Sequence, residues 1–336
     1  MTPPRAAMKY RTKFLLALAA ASAVAGAGVV HTTSFPHAGT PGQPVTSTEE
    51  RKLLADTLRE HMRYQTIGIG QRQAARDGAS WALVDYIVNE CESVGYEVEL
   101  QDYKAGGHPH QNVIVERPGR TSEVLVVGCH YDAYGKSPSA AASASGPAAL
   151  IELAKVAADV MTDKTLRFCF FSTGEAPYRG TEEMGSRQYA KACKERQDPI
   201  VAALILDSFA HFSTALNEQT FWFPWSEVFP KTGDFVAVVG GVRDRDLVAR
   251  TLAAWGASTE MPARGLAFTS WVARIRSGDQ AAFAAEGFPS ILLSDTGVNR
   301  FEDIRTRFDS FDRIDYLSYA RAVEGLTAAV LELAGR

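Results

Sequence analysis

The chain has 336 residues, 46% hydrophobic and 22% charged, enough apolar material for one large α/β domain or two small ones. Its formal net charge of −4 gives no basic surface that would argue for nucleic acid or an anionic membrane as partner. The four cysteines, Cys91, Cys129, Cys169 and Cys193, form no CxxC pair and no recognisable disulfide framework; Cys129 and Cys169 lie in apolar runs, so buried free thiols are expected.

The N-terminus departs from the rest. Arg5, Lys9, Arg11 and Lys13 precede an apolar run from Phe14 to Val30, which contains the small residues Ala25, Gly26 and Ala27. Basic residues, a modest apolar stretch and then small residues predict a secretory signal over residues 1–30. A retained membrane anchor is the alternative, because the run lies at the short edge of a span. Residues 31–48, rich in Thr, Pro, Gly and Ser, read as a flexible linker, and residues 49–336 as the folded domain. The protein is therefore expected to be exported, periplasmic or secreted.

A leading helix is predicted over Ser47 to Arg63, with Ser47 or Thr48 as N-cap, and a second over Ser80 to Val94, where Leu83, Val84, Ile87 and Val88 keep a helical period before Gly95. Tyr96 to Tyr103 alternates as a strand, and Asn112 to Glu116 is a short strand ended by Pro118-Gly119. His108-Pro109-His110 has metal-like spacing but is read as a solvated loop. Val124 to Cys129, Leu166 to Ser172 and Val201 to Leu206 are continuous apolar runs, as strands covered on both faces require. Helices are expected over Ala148 to Val160 and Glu182 to Lys194, near Arg243 to Ala254 and Gln280 to Glu286, and over Arg313 to Ala334; two more strands are expected over Phe235 to Gly240 and Ser290 to Leu293. Strands alternating with helices predict an α/β fold, a three-layer α/β/α sandwich on a largely parallel mixed sheet.

In such sheets ligands gather at the carboxyl ends of the strands. The three buried strands deliver His130-Tyr131-Asp132, then Gly174-Glu175, then Asp207. Each residue alone is more often a cap or a surface group, but three possible metal ligands on successive strands form a more specific pattern.

With these residues the chain from about Glu50 to Leu333 resembles the co-catalytic two-zinc aminopeptidases, a group that includes bacterial leucyl aminopeptidases and is related to glutaminyl cyclases. The resemblance is carried by Asn112-Val113-Ile114, Gly128 to Asp132, Ser143-Ala144-Ser145-Gly146, Thr181 to Ser186, Leu206-Asp207, Asp295-Thr296 and Asp309-Ser310 before Asp315-Tyr316. It implies two zinc ions bridged by one Asp and a water, with a Glu beside a ligand Glu as general base. His130, Glu175 and Asp207 match metal ligands, and Asp132 matches the carboxylate that orients His130. The bridging position is Ala142, with Ala141 no substitute; the general-base position is Gly174; the last His ligand is replaced by Arg305. An expected Asp-His pair reads Asp279-Gln280, and none of the seven histidines follows His211.

The resemblance thus implies the fold without a complete site. The expectation is an exported metallopeptidase-like protein without the family reaction and without a cofactor, binding a peptide or protein through the old cleft. The alternative is an active aminopeptidase or related hydrolase with a rebuilt zinc site, in which His108, His110 or His211 could take part. Membrane contact is expected only through an uncleaved N-terminal segment. Arg305, permanently charged and planar, is expected to turn into the cleft and pair with Glu175, Asp207 or both, the alternative being a solvated loop arginine like Arg300 and Arg307. Asp309 and Asp315 or Asp312 are expected to cap the last helix. A Glu at position 174 would be strained if Gly174 had positive φ.

Overall fold

The computed structural model describes residues 5–33, 35, 48–74, 79–221, 226, 229–268 and 277–336. They fall into two compact units, Met1–Ser34 and Phe35–Arg336. The first contains one helix, α1 (Arg5–Thr33). Among the described residues no helix is long and apolar enough to cross a membrane. Of the expected linker, residues 34 and 36–47, Ser47 among them, lie outside the described residues, while 31–33 belong to α1 and are not linker.

The second unit opens with α2 (Thr48–Arg63), which runs on as a π-helical turn over Tyr64–Ile69, and α3 (Ala79–Glu92). A hairpin of β1 (Val98–Ala105) and β2 (His108–Arg117) follows. Its connection is Gly106-Gly107, with φ of 57° and 81°, the pair of positive values that a two-residue hairpin turn demands. His108-Pro109-His110 is therefore the start of a strand and not a solvated loop. Its side chains alternate, so that His108 is exposed while His110 is buried beside Tyr103.

The alternation that places the site comes next: β3 (Val124–His130), a π-helical turn over Ala140–Ala144, α4 (Ser145–Ala158), β4 (Thr165–Phe171), α5 (Gly185–Arg196) and β5 (Ile200–Leu206). The chain then forms β6 (Val236–Gly240), α6 (Arg245–Ser258), β7 (Ala263–Ala267), α7 (Asp279–Ala285), β8 (Ser290–Ser294) and α8 (Tyr316–Ala334). The order in the sheet is β1-β2-β4-β3-β5-β8-β6-β7. The central run β4-β3-β5-β8 is parallel; β1 and β2 extend one edge antiparallel, and β6 joins β8 antiparallel with β7 parallel to it. β7 escapes the sequence reading because an edge strand reading Ala-Arg-Gly-Leu-Ala has no β-branched alternation.

Helices α2, α3, α4, α6 and α8 cover one face of the sheet, and α5 and α7 the other, making the three-layer sandwich. β4 shows the reason: Leu166, Phe168 and Phe170 point into the larger core, Cys169 and Phe171 into the smaller. Strand periodicity sends alternate side chains to opposite faces, so a strand covered on both must be apolar at nearly every position. Each buried phenylalanine contributes about 1.5–3 kcal/mol. All four cysteines are buried and free, and burial pushes the thiols of Cys91 and Cys193 up to about 12 and about 11.

Asp315 is the N-cap of α8, accepting from the amides of Leu317 and Ser318. Asp309 is not a helix cap. Its carboxylate accepts from the amides of Ala141 (2.7 Å), Ala142 (3.3 Å) and Arg305 (3.0 Å), and so ties the π-helical turn to the loop before α8.

Candidate functional site

Because β4, β3 and β5 are adjacent and parallel, their carboxyl ends lie side by side. His130 closes β3, Glu175 follows β4 by a short loop, and Asp207 follows β5 directly. Asp132 organises the loop after β4: its two carboxylate oxygens accept from the amides of Gly174 (2.7 Å) and Glu175 (3.0 Å). Its backbone carbonyl lies 3.2 Å from His130 Nδ1, and its carboxylate 3.5 Å from the same atom. The residue that the resemblance assigned to orienting the histidine thus spends its carboxylate mainly on backbone amides.

Glu175 and Asp207 are each paired with an arginine. Arg305 Nε lies 2.6 Å from Glu175 Oε1, and Arg305 Nη2 lies 3.7 Å from Asp207 Oδ1. Arg179 Nη2 donates to Asp207 Oδ2 at 2.6 Å, and its Nη1 donates to the Gly174 carbonyl at 3.2 Å. His130 Nε2 stands 3.7 Å from Asp207 Oδ1, a charge contact beyond hydrogen-bond reach. Burial alone would push Asp207 up, but Arg179, His130 and Arg305 together hold it well below the usual carboxylate range. Burial pulls the His130 imidazole down, yet Asp132 and Asp207 outweigh it and hold it well above its ordinary value.

Arg179 is absent from the sequence reading. Arg179 stands four residues after Glu175 in a turn closed by its amide on the Glu175 carbonyl, and its partner Asp207 comes from another strand, so no local pattern signalled it. Arg300 is not a solvated loop arginine; it is 4% exposed, faces Phe212 and Phe235, and donates to Gln219 Oε1 and the His211 carbonyl. His211 stacks on Phe301, and its amide donates to Asp295.

Ala142, Gly174 and Arg305, the positions that the resemblance reads as substituted, each have a definite local setting. Ala142 is buried in the π-helical turn, with its amide on Asp309. Gly174 does not have positive φ. The obstacle there is steric: a Cβ would lie 2.3 Å from His130 Cβ and 2.5 Å from its Cγ. Arg305 itself has φ of 62°, in the left-handed region that side chains rarely adopt, and its amide is held by Asp309. Asp279 takes a hydrogen bond from Ser186 at 2.7 Å, which ties the start of α5 to the start of α7.

Two zinc ions do not fit this residue set. Among the described residues no three His, Cys, Asp or Glu side chains are grouped to hold a metal. More decisively, oxygens of Glu175 and Asp207 are committed to guanidinium groups at 2.6 Å. Zinc sites take three or four protein ligands, and a guanidinium cannot be one.

The comparisons with known proteins bear on the family and the fold. The model of Peptidase family M28 matches residues 112–330. A relative in Escherichia coli, the uncharacterized protein YfbL, is 26% identical over 285 residues, covering 82% of this chain and 87% of its own. Among solved structures, the Bacillus subtilis zinc aminopeptidase BSAP superposes with a TM-score of 0.66 at 14% identity, over 84% of this chain and 95% of that one. A glutaminyl cyclase from Porphyromonas gingivalis superposes with a TM-score of 0.62 at 16% identity, over 83% and 98%. At such identities the structural likeness speaks to the fold.

Proposed function

The chain belongs to peptidase family M28, and we propose that it is an exported member that performs no metal-dependent hydrolysis and binds a peptide or protein through the former catalytic cleft. The observation that carries this reading is the Arg305 guanidinium on Glu175, joined by Arg179 on Asp207. Organic cations neutralise the carboxylates that the family fold presents to metal. Gly174, where a general base would be needed, supports the same conclusion, since losing such a base lowers rates by about 10²–10⁴-fold. Export is supported by the basic and then apolar N-terminal segment.

The test is metal analysis of the purified full-length protein together with a screen of aminoacyl substrates. The expected result is zinc far below one ion per chain and no chelator-sensitive release of an N-terminal residue. Zinc near two per chain with enzymatic turnover would favour the other reading, a hydrolase with a rebuilt site.

A further inference from the structure

The paired arginines open onto a cavity of about 710 Å³, within the range of small-ligand pockets. Its wall away from them is apolar, formed by Phe221, Phe229, Val239, Leu266 and Leu292. Leu292, Val239 and Leu266 stand on β8, β6 and β7, the successive strands outward from β5. At roughly 4.8 Å per strand, the apolar wall extends about 14 Å from the strand that ends at Asp207.

The polar end of this cavity is lined by both members of each ion pair, Arg179 with Asp207 and Arg305 with Glu175, and the guanidinium groups are the more exposed. The side chains of Arg179 and Arg305 are each 24% exposed, while those of Glu175 and Asp207, behind them, are 3% and 12% exposed. A guanidinium carries five N–H donors. Among the described residues Arg305 donates one side-chain hydrogen bond, from Nε, and Arg179 donates two. The remaining donors belong to side chains that line the cavity. The carboxylates are already neutralised by guanidinium partners and lie less exposed than those partners, so the groups most open to an incoming ligand are the cations. Arg305 is held in this position at positive φ, a conformation that persists where the surroundings impose it and that clusters at functional sites.

Building on the cleft reading above, we propose that the cavity takes a ligand with an apolar body and a carboxylate head, the head received by Arg305 and Arg179. Arginine forks match carboxylates bidentately. This polarity is opposite to that of a site that receives a free α-amine. The carboxylate can come from the C-terminal residue of a peptide or from a medium-chain fatty acid, and the apolar wall suits either.

Calorimetric titration of the full chain with four probes tests this: N-acetyl-leucine, octanoate, N-acetyl-leucinamide and leucinamide. The acids are expected to bind, and the acetyl amide about tenfold or more weaker than its acid, the worth of charge-assisted hydrogen bonds. Tighter binding of N-acetyl-leucine identifies a peptide terminus; tighter binding of octanoate identifies a fatty acid. Arg305→Gln should weaken the acids by about tenfold or more. Val239→Trp, which fills the apolar end and leaves the ion pairs alone, should also weaken them and decides the matter if Arg305→Gln does not fold. Equal affinity for acid and amide, preference for leucinamide, or no binding of either acid at millimolar concentration overturns the inference. In a zinc-free, inert protein those outcomes defeat the carboxylate inference alone; zinc loading with turnover defeats the cleft reading beneath it.

Discussion

Replacing Arg305 by methionine removes the cation from Glu175 while keeping most of the side-chain volume. Glu175 is 2% exposed and pairs with Arg305 at 2.6 Å, so nothing in bulk water can replace the lost partner directly. Two unit charges about 4 Å apart attract by about 4 kcal/mol at an effective dielectric near 20. Desolvation offsets much of that attraction in the intact pair. Breaking one side leaves the full penalty on the other, typically about 3–5 kcal/mol. Arg305 is one-quarter exposed, and Arg179 remains on the carbonyl of the residue preceding Glu175. The expected loss is therefore at the lower end, about 3 kcal/mol. Urea unfolding should show it as a midpoint lowered by roughly 1 M at an unchanged slope near 3 kcal/mol/M. Glu175→Gln in the Arg305→Met background should recover about half or more of the loss, because the orphaned charge is gone. A midpoint within about 0.2 M of the parent for Arg305→Met, or strictly additive single mutants, would show that the pair is not coupled and refute the reasoning.

Gly174→Ala should destabilise the protein by about 1–3 kcal/mol, since its methyl would meet His130 Cβ at 2.3 Å; a midpoint equal to the parent's would mean that the loop can move aside. Zinc affinity in Ala142→Asp with Arg305→His should rise further when Arg179→Ala is added, because Arg179 otherwise keeps Asp207; competition with a chelating dye measures it, and no gain from the third change would count against that arginine's role. Burial would push Asp198 up, but Arg196 and Arg167 outweigh it and hold it at about 2. A depressed carboxylate stabilises above its unfolded pKa, so this contribution should be present at neutral pH and fade as pH falls from about 4 through about 2. The stability difference between the parent and Asp198→Asn should shrink over that window in urea titrations, and a pH-independent difference would contradict it.

The strands that frame the site were legible because burial on both faces leaves a local mark. Val124 to Cys129, Leu166 to Phe171 and Val201 to Leu206 are apolar at almost every position, and the residues that follow them must emerge at one edge of the sheet. From this, and from the resemblance, came His130, Glu175 and Asp207 as neighbours, and Ala142, Gly174 and Arg305 as the altered positions. The entry of Arg305 into the cleft was also foreseeable, because a guanidinium placed among carboxylates pairs with them. Local pattern served less well at the ends of elements. Pro and Gly near His108 suggested a loop, yet tertiary pairing with β1 made it a strand.

What only the tertiary structure decided is which groups share the cleft, and how. Arg305 and Glu175 are 130 positions apart, and Asp309 meets Ala141 across 168, separations over which sequence carries no distance. Asp309, expected to cap a helix, instead holds the amides of both Ala142 and Arg305, because the loop before α8 folds back over the π-helical turn. Gly174 looked like a lost base; in three dimensions it is also the one residue type that leaves room for His130. Composition and period record whether a residue is buried, since that depends on its own element. The partner it meets depends on the closure of the whole sheet, which places three strand ends, one turn and one distant loop around a single cavity.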